Sequence, residues 1–183
     1  VNEGSTAGVA KLYPVMALTG QTGGTVFANR LEAARQAATW ITFAEQEISL
    51  EAGESKLIAF SIEVPEGARA GHHVAGIAVE TADEAGGMTV QRQTETASFQ
   101  VNVRTRMVMA VQVDILGERV EEMDVTAVTA GGSGGYQKLF FDMYNKGNVM
   151  LKPAGSLVVT DAEGQTVQSL DFQMDTFLPE TQI

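Results

Sequence analysis

The stretch from Trp40 to Glu80 contains two runs in which apolar and polar side chains alternate, and this pattern constrains the fold more than any other feature. A period of two is typical of a strand with one buried face. Pro65 ends the first run, because proline has no N–H for a strand ladder. The apolar face of the first run consists of Ile58, Phe60, Ile62 and Val64. The matching face of the second run consists of His73, Ala75, Ile77 and Val79.

Further alternating runs predict an all-β fold made of two consecutive, antiparallel immunoglobulin-like β-sandwich domains. The polar break around residue 105 divides the chain into a first module, residues 1–105, and a second module, residues 106–183. Strong helix formers at residues 29–38 predict one short helix. The similarity of Asn2-Glu3-Gly4 to Asn145-Lys146-Gly147 indicates related modules. The matching motif lies at the start of the first module but in the middle of the second. We therefore expect the first module to lack its early strands, and we expect the second module to lack its late strands.

The charge balance excludes several classes of partner. The net charge is −11, from 12 basic and 23 acidic residues. A nucleic-acid surface needs a basic patch, and so does adsorption to anionic lipid, so we expect neither partner. Without cysteine there is no disulfide and no cysteine metal site. No run approaches the ~18 apolar residues of a membrane span, so we expect no membrane insertion of this chain.

The residues that could carry chemistry do not form a catalytic pattern. His72 and His73 are adjacent on a predicted strand and would point to opposite faces, so they cannot chelate one metal together. We expect one to be inward and hydrogen-bonded and the other exposed. No nucleophile-elbow motif is present, and the glycines of Gly131–Gly135 do not form a phosphate loop. We predict no enzymatic activity, no catalytic residue, no cofactor and no metal site.

Trp40 is the single tryptophan and has two possible roles. Its position beside Ile41 at the start of a strand favours an anchor in the sandwich core. An exposed indole could instead stack on a sugar, with Tyr13 and Tyr136 as companions. Trp40, Tyr13 and Tyr136 are therefore the candidate ligand-binding residues.

Several motifs in the first module resemble one protein family. They are Trp40-Ile41, the Gly-Glu-Ser turn ending at Ser55, the strand ending at Pro65, and Gly71-His72-His73-Val74-Ala75-Gly76-Ile77. In this order they resemble the first domain of WxL-interacting proteins, which are bacterial surface proteins of cell-wall assemblies. The runs from Asn145 to Pro153 and from Phe177 to Pro179 resemble the module that follows in those proteins. The resemblance implies a peptidoglycan-binding first module and a second module that binds host-surface material.

We therefore predict a secreted, non-enzymatic module at the bacterial cell surface or cell wall. It would bind peptidoglycan or a cell-surface partner protein in an adhesion role. Recognition would use exposed strand edges and loops. The alternative is a structural subunit of a surface filament or layer, which self-assembles by strand complementation through open strand edges.

Overall fold

The computed structural model describes residues 1–81, 106–133, 135 and 137–183, together with the backbone of 88–93 and 98–103. The described residues form antiparallel β-sheets, which confirms the predicted all-β class. No helix in this part of the chain is long and apolar enough to cross a membrane. The strands are β1 (Gly8–Thr19), β2 (Thr25–Phe27), β3 (Ile41–Phe43), β4 (Glu47–Leu50), β5 (Phe60–Ile62), β6 (Gly71–Thr81), β7 (Met88–Gln93), β8 (Ser98–Val103), β9 (Arg106–Ile115), β10 (Met123–Gly131), β11 (Lys138–Asn145), β12 (Ala154–Thr160) and β13 (Thr166–Gln173).

The chain divides into two compact units, each assembled from three segments. Unit 1 comprises Val1–Met16, Phe27–Glu66 and Val74–Val111. Unit 2 comprises Ala17–Val26, Gly67–His73 and Gln112–Ile183. The strands β1, β6 and β9 each contribute residues to both units. The predicted division into residues 1–105 and 106–183 stays a prediction.

The centre of unit 1 is the antiparallel pair formed by β1 and β6, in which Tyr13 lies opposite Ala78. The second alternating run of the sequence forms β6, as predicted. Ala75 and Ala78 of this strand have no exposed surface, and Ile77 is 5% exposed. Consecutive residues point to opposite faces of a strand, so β6 is buried on both faces here. This burial agrees with the position of β6 inside the sheet, between β1 and β9 in the order β2-β1-β6-β9.

The first alternating run differs from the prediction of a half-buried strand. Only Phe60–Ile62 form a strand, β5, and it pairs with β3 and not with β6. Its predicted inner face is exposed: Phe60 by 45%, Ile62 by 37% and Val64 by 44%. The alternation correctly indicates an apolar face, but the described residues include no strand that covers it.

The helix predicted at residues 29–38 is wrong. Asn29 and Glu32 instead close a turn, in which the Glu32 N–H donates to the Asn29 carbonyl at 3.0 Å and the Asn29 N–H donates to Glu32 Oε1 at 3.2 Å. A short 3₁₀ helix follows at Gln36–Trp40. The buried residues of this 3₁₀ helix are Ala37, Ala38 and Trp40, and residues 29–36 contain none. The segment therefore lacks the apolar stripe that holds an amphipathic α-helix on a core.

Unit 2 contains two β-hairpins, β10–β11 and β12–β13. The second hairpin turns at the predicted Asp161–Gly164, where the Asp161 N–H donates to the Gln165 carbonyl at 3.0 Å. Gly164 has a φ of 81°, a conformation that favours glycine. The most completely buried large side chains are Asn145 and Phe177.

Candidate functional site

A polar cavity of about 510 Å³ in unit 1 includes Tyr13, one of the predicted ligand-binding residues. The Tyr13 hydroxyl donates to Glu80 Oε2 at 2.7 Å across the β1–β6 pair. Glu80 is only 7% exposed, so this carboxylate is a fixed part of the cavity wall. The other lining residues are Asn29, Arg30, Leu31, Glu32 and Arg106.

Arg106 attaches the segment before the 29–32 turn to the start of β9. Its Nη1 donates to the Ala28 carbonyl at 2.7 Å, and its Nη2 donates to the Phe27 carbonyl at 3.3 Å. Phe27 also lies against β6, because a Cβ atom placed on Gly76 would come within 2.7 Å of its ring. Glycine at position 76 thus lets the segment that leads into the cavity loop lie close to the sheet.

The environment of Tyr13 raises the pKa of its phenol above the ordinary value of about 10. Partial burial is the largest cause, because it disfavours the charged phenolate. The hydrogen bond to Glu80 acts in the same direction, while the one to Arg106 opposes it. The neutral phenol is therefore the form that the folded protein favours.

This shift predicts that Tyr13 makes a contribution to stability that is lost at high pH. Because the pKa is raised in the folded state, the contribution is fully present below the unfolded pKa of about 10 and is lost as the pH rises through the folded value. In an absorbance titration of the three tyrosines, we expect Tyr13→Phe to remove a late tyrosinate phase. A late phase that survives in Tyr13→Phe would contradict this assignment.

The structure does not bring the three predicted ligand-binding residues together. Trp40 is buried, with 9% exposure, and is not among the residues that line the cavity around Tyr13. Its position agrees with a core anchor and leaves no exposed indole face for a sugar. Tyr136 lies outside the described residues. Of these three residues, Tyr13 is the one that lines the cavity described above.

Both histidines are half-buried, so the expectation of one inward and one exposed ring is wrong. His72 Nδ1 accepts a hydrogen bond from the Met150 N–H at 2.9 Å, and its Nε2 lies 3.1 Å from Arg119 Nη1. His73 Nε2 lies 2.7 Å from the Arg69 carbonyl oxygen. The contacts with Met150 and Arg69 hold the two imidazole rings in place within unit 2.

A second surface feature of unit 1 is the start of β9, which sequence reasoning did not single out. Met107 and Met109 are 69% and 54% exposed, whereas Val108 between them is half-buried beside Gly76. β9 is the last strand in the sheet order, and no described strand pairs with its other edge. The run Met107-Val108-Met109-Ala110-Val111 is apolar at every position. A continuous apolar run is typical of a strand buried on both faces, so the exposure of Met107 and Met109 had no signal in the sequence.

Unit 2 also exposes apolar strand residues. On the β10–β11 hairpin, Val128 lies opposite Phe141 and Val125 opposite Met143. Val125 and Val128 are 52% and 55% exposed. On the β12–β13 hairpin, Leu170 is 47% exposed. Apolar sheet surface open to solvent is thus a property of both units.

Neither a family model nor a curated protein matches the sequence. Two solved structures are similar over 100% of this chain and 74% of theirs. One, titled as a chaperone–tip adhesin complex vital for synergistic activation of CFA/I fimbriae biogenesis, has a TM-score of 0.48 at 12% identity. The other, the class 5 fimbriae chaperone CfaA, has a TM-score of 0.42 at 14% identity. A similarity of this size concerns the fold alone.

Proposed function

We propose that this chain is a non-enzymatic, protein-binding module that holds an extended segment of a partner polypeptide by strand addition at the start of β9. The observation that carries the proposal is the exposure of Met107 and Met109 on the terminal strand of the unit 1 sheet. In strand addition the backbone supplies the hydrogen bonds and alternate side chains supply the apolar contacts.

The composition of this edge favours pairing with another chain, because the edge lacks the residues that usually prevent such pairing. Exposed edge strands usually carry charged residues, proline or bulges that prevent pairing with another chain. The five residues from Met107 to Val111 include no charge and no proline. Methionine is unbranched and polarisable, so two exposed methionines can adapt to different partner side chains. Such an edge is suited to a partner segment with alternating apolar residues.

The proposal places the module at the bacterial surface or in the compartment where surface proteins are assembled. The proposal includes a role in the assembly of surface proteins, and the apolar β9 edge supports it. The titles of the two similar structures name fimbriae biogenesis and a fimbriae chaperone for those proteins. Membership of the WxL-interacting family and binding to peptidoglycan stay predictions. The absence of enzymatic activity is likewise part of the proposal.

A second candidate function is the structural subunit of a filament or layer, in which a second copy of the chain supplies the strand. The exposed apolar faces in both units favour it, because each could be covered by a neighbouring copy. Light scattering after size exclusion separates the two functions. Regular multimers that Met107→Lys dissociates would support the subunit, and a monomer would support binding of a different partner.

The test of strand addition uses a fluorescent octapeptide of alternating valine and threonine. We expect it to bind the protein in fluorescence anisotropy, and we expect the same peptide with alternate backbone N-methylation to bind at least about tenfold more weakly, because it has lost its ladder donors. The double variant Met107→Lys/Met109→Lys should weaken binding similarly, because it places two charges on the apolar edge.

The matched control is Leu57→Lys/Leu116→Lys. It adds the same two charges at apolar residues that are 101% and 90% exposed and lie outside any strand. This control should leave peptide binding unchanged. Equal binding of the N-methylated peptide would overturn strand addition, and unchanged binding to the Met107→Lys/Met109→Lys protein would overturn the assignment to β9.

A further inference from the structure

We propose that the polar cavity of unit 1 binds an acidic sugar, with the sugar carboxylate held by Arg30 above the ring of Tyr13. This site is separate in its residues and its chemistry from the strand-binding edge of β9. It assigns a ligand class to the cavity around Tyr13, from the charges, the hydrogen bonds and the ring contact found there.

Arg30 is the cationic group that is available to a ligand. Its guanidinium lies 5.8 Å from the centroid of the Tyr13 ring, a cation–π distance. None of the ion pairs formed by the described residues involves Arg30. Arg30 is exposed, so its charge is accessible to an anionic ligand that enters the cavity. A planar guanidinium matches a carboxylate through two parallel hydrogen bonds.

The other charged groups of the cavity form a fixed frame around Arg30. Arg106 is engaged by the Ala28 and Phe27 carbonyls, and Glu80 accepts the Tyr13 hydroxyl. The turn that carries Arg30 is closed at both ends by the reciprocal hydrogen bonds of Asn29 and Glu32. Little of this frame has to be ordered when a ligand binds, which lowers the cost of binding.

The cavity favours a ligand with one negative charge and several hydroxyls. Glu32 and Glu80 line it together with Arg30, so a dianionic phosphate would meet two carboxylates and is disfavoured. The Asn29 amide and the Glu32 carboxylate can pair with hydroxyl groups, since a carboxylate accepts more hydrogen bonds than the one that Asn29 donates. A volume of about 510 Å³ is within the range of small-molecule sites.

The experiment is a titration of the isotope-labelled protein with glucuronate, followed by the NMR signals of the arginine side chains. Glucose and acetate are the paired probes, since each carries only one half of the proposed chemistry. We expect glucuronate to shift the Arg30 Nε–H signal and to saturate, and we expect both other probes to bind at least about tenfold more weakly. Acetate that binds as well as glucuronate would overturn the sugar assignment, and so would glucose that binds as well.

Two variants decide whether Arg30 is the anchor. Arg30→Gln should weaken glucuronate binding about tenfold, because it removes the charge-assisted pair and keeps a side chain of similar shape. Arg35→Gln is the matched control, since Arg35 is exposed in the same segment and does not line the cavity. The double variant Met107→Lys/Met109→Lys should bind glucuronate normally, because neither methionine lines the cavity. Peptide binding at β9 and glucuronate binding at the cavity can therefore fail independently of each other. Unchanged binding by Arg30→Gln, with the fold intact by circular dichroism, would overturn the proposal.

Discussion

Replacing Asn145 by alanine is expected to lower the free energy of unfolding by about 3 kcal/mol. The Asn145 side chain has no exposed surface. Its Nδ2 donates to the Val149 carbonyl at 3.0 Å and to the Phe177 carbonyl at 3.1 Å, and its Oδ1 accepts the Gly147 N–H at 3.0 Å. Alanine removes all three bonds, each worth about 1 kcal/mol. The Gly147 N–H keeps the Glu122 carbonyl and the Phe177 carbonyl keeps the Leu151 N–H, so the Val149 carbonyl is the group that loses its side-chain partner without such a replacement.

Asn145→Asp sharpens this prediction, because it keeps the shape and the acceptor while it removes the two donors. The new carboxylate would face two carbonyl oxygens in a buried position, which raises its pKa. Stability relative to the native protein should therefore recover in part as the pH falls and the carboxyl is protonated. Urea unfolding followed by circular dichroism measures both variants. The exposed Gln173→Ala is the control and should change the free energy by less than about 0.5 kcal/mol. A cost below about 1 kcal/mol for Asn145→Ala would contradict a structural role for this side chain.

Replacing Phe177 by alanine is expected to cost about 4 kcal/mol, through lost apolar burial and the cavity left behind. Phe177 has no exposed surface, and its neighbour in sequence Leu178 is 2% exposed. Its backbone is fixed by two hydrogen bonds with Leu151, at 2.8 and 3.0 Å, so the chain cannot easily move to fill the space.

The matched control for this prediction is Phe172→Ala in β13. Phe172 is 43% exposed, so the same chemical change removes far less buried area and should cost about 1 kcal/mol. Urea unfolding of both variants gives the comparison. Equal costs at positions 172 and 177 would contradict the placement of Phe177 in the centre of unit 2. The Asn145 and Phe177 effects should not add in a double variant, because the Asn145 amide bonds the Phe177 carbonyl.

The sequence predicted the class of the fold because strand alternation and turn chemistry are local properties. The run in β6 and the turn at Asp161–Gly164 were both found in this way. The solvent exposure of a strand face could not be predicted from alternation. Alternation shows that Phe60, Ile62 and Val64 share a face, but whether another element covers that face depends on residues far along the chain.

Pro14 shows how a strand can contain proline where its pairing allows it. β1 continues through Pro14 to Thr19, although proline has no N–H for a strand ladder. Pro14 is paired with Ile77 of β6 on one side. On the other side, β4 pairs as far as Lys11 and the Leu12 N–H donates to the Gln46 carbonyl at 2.8 Å. Beyond Pro14, the Ala28 N–H donates to the Met16 carbonyl at 3.0 Å. Pro14 lies in the gap between these partners, where the described residues require no N–H from it.

The candidate site was predictable only in part, because its residues are distant in sequence. Tyr13 was selected as a companion of Trp40, which proved to be buried. Its actual partner Glu80 lies 67 residues away, and Arg106 lies 78 residues from the carbonyl that it binds. The β1–β6 register brings Tyr13 and Glu80 together, and Arg106 comes from β9, the next strand in the sheet order. The turn that presents Arg30 was hidden because its residues are strong helix formers.

We propose that β9 accepts a strand from another polypeptide, and NMR of the labelled protein with the valine–threonine octapeptide observes this event at the strand itself. Strand addition predicts cross-strand contacts between the peptide backbone and Met107 or Met109, together with slowed amide exchange in residues 106–111. The N-methylated peptide should produce neither effect. Signals that change only on other strands, or amide exchange in residues 106–111 that the peptide leaves unchanged, would contradict the claim.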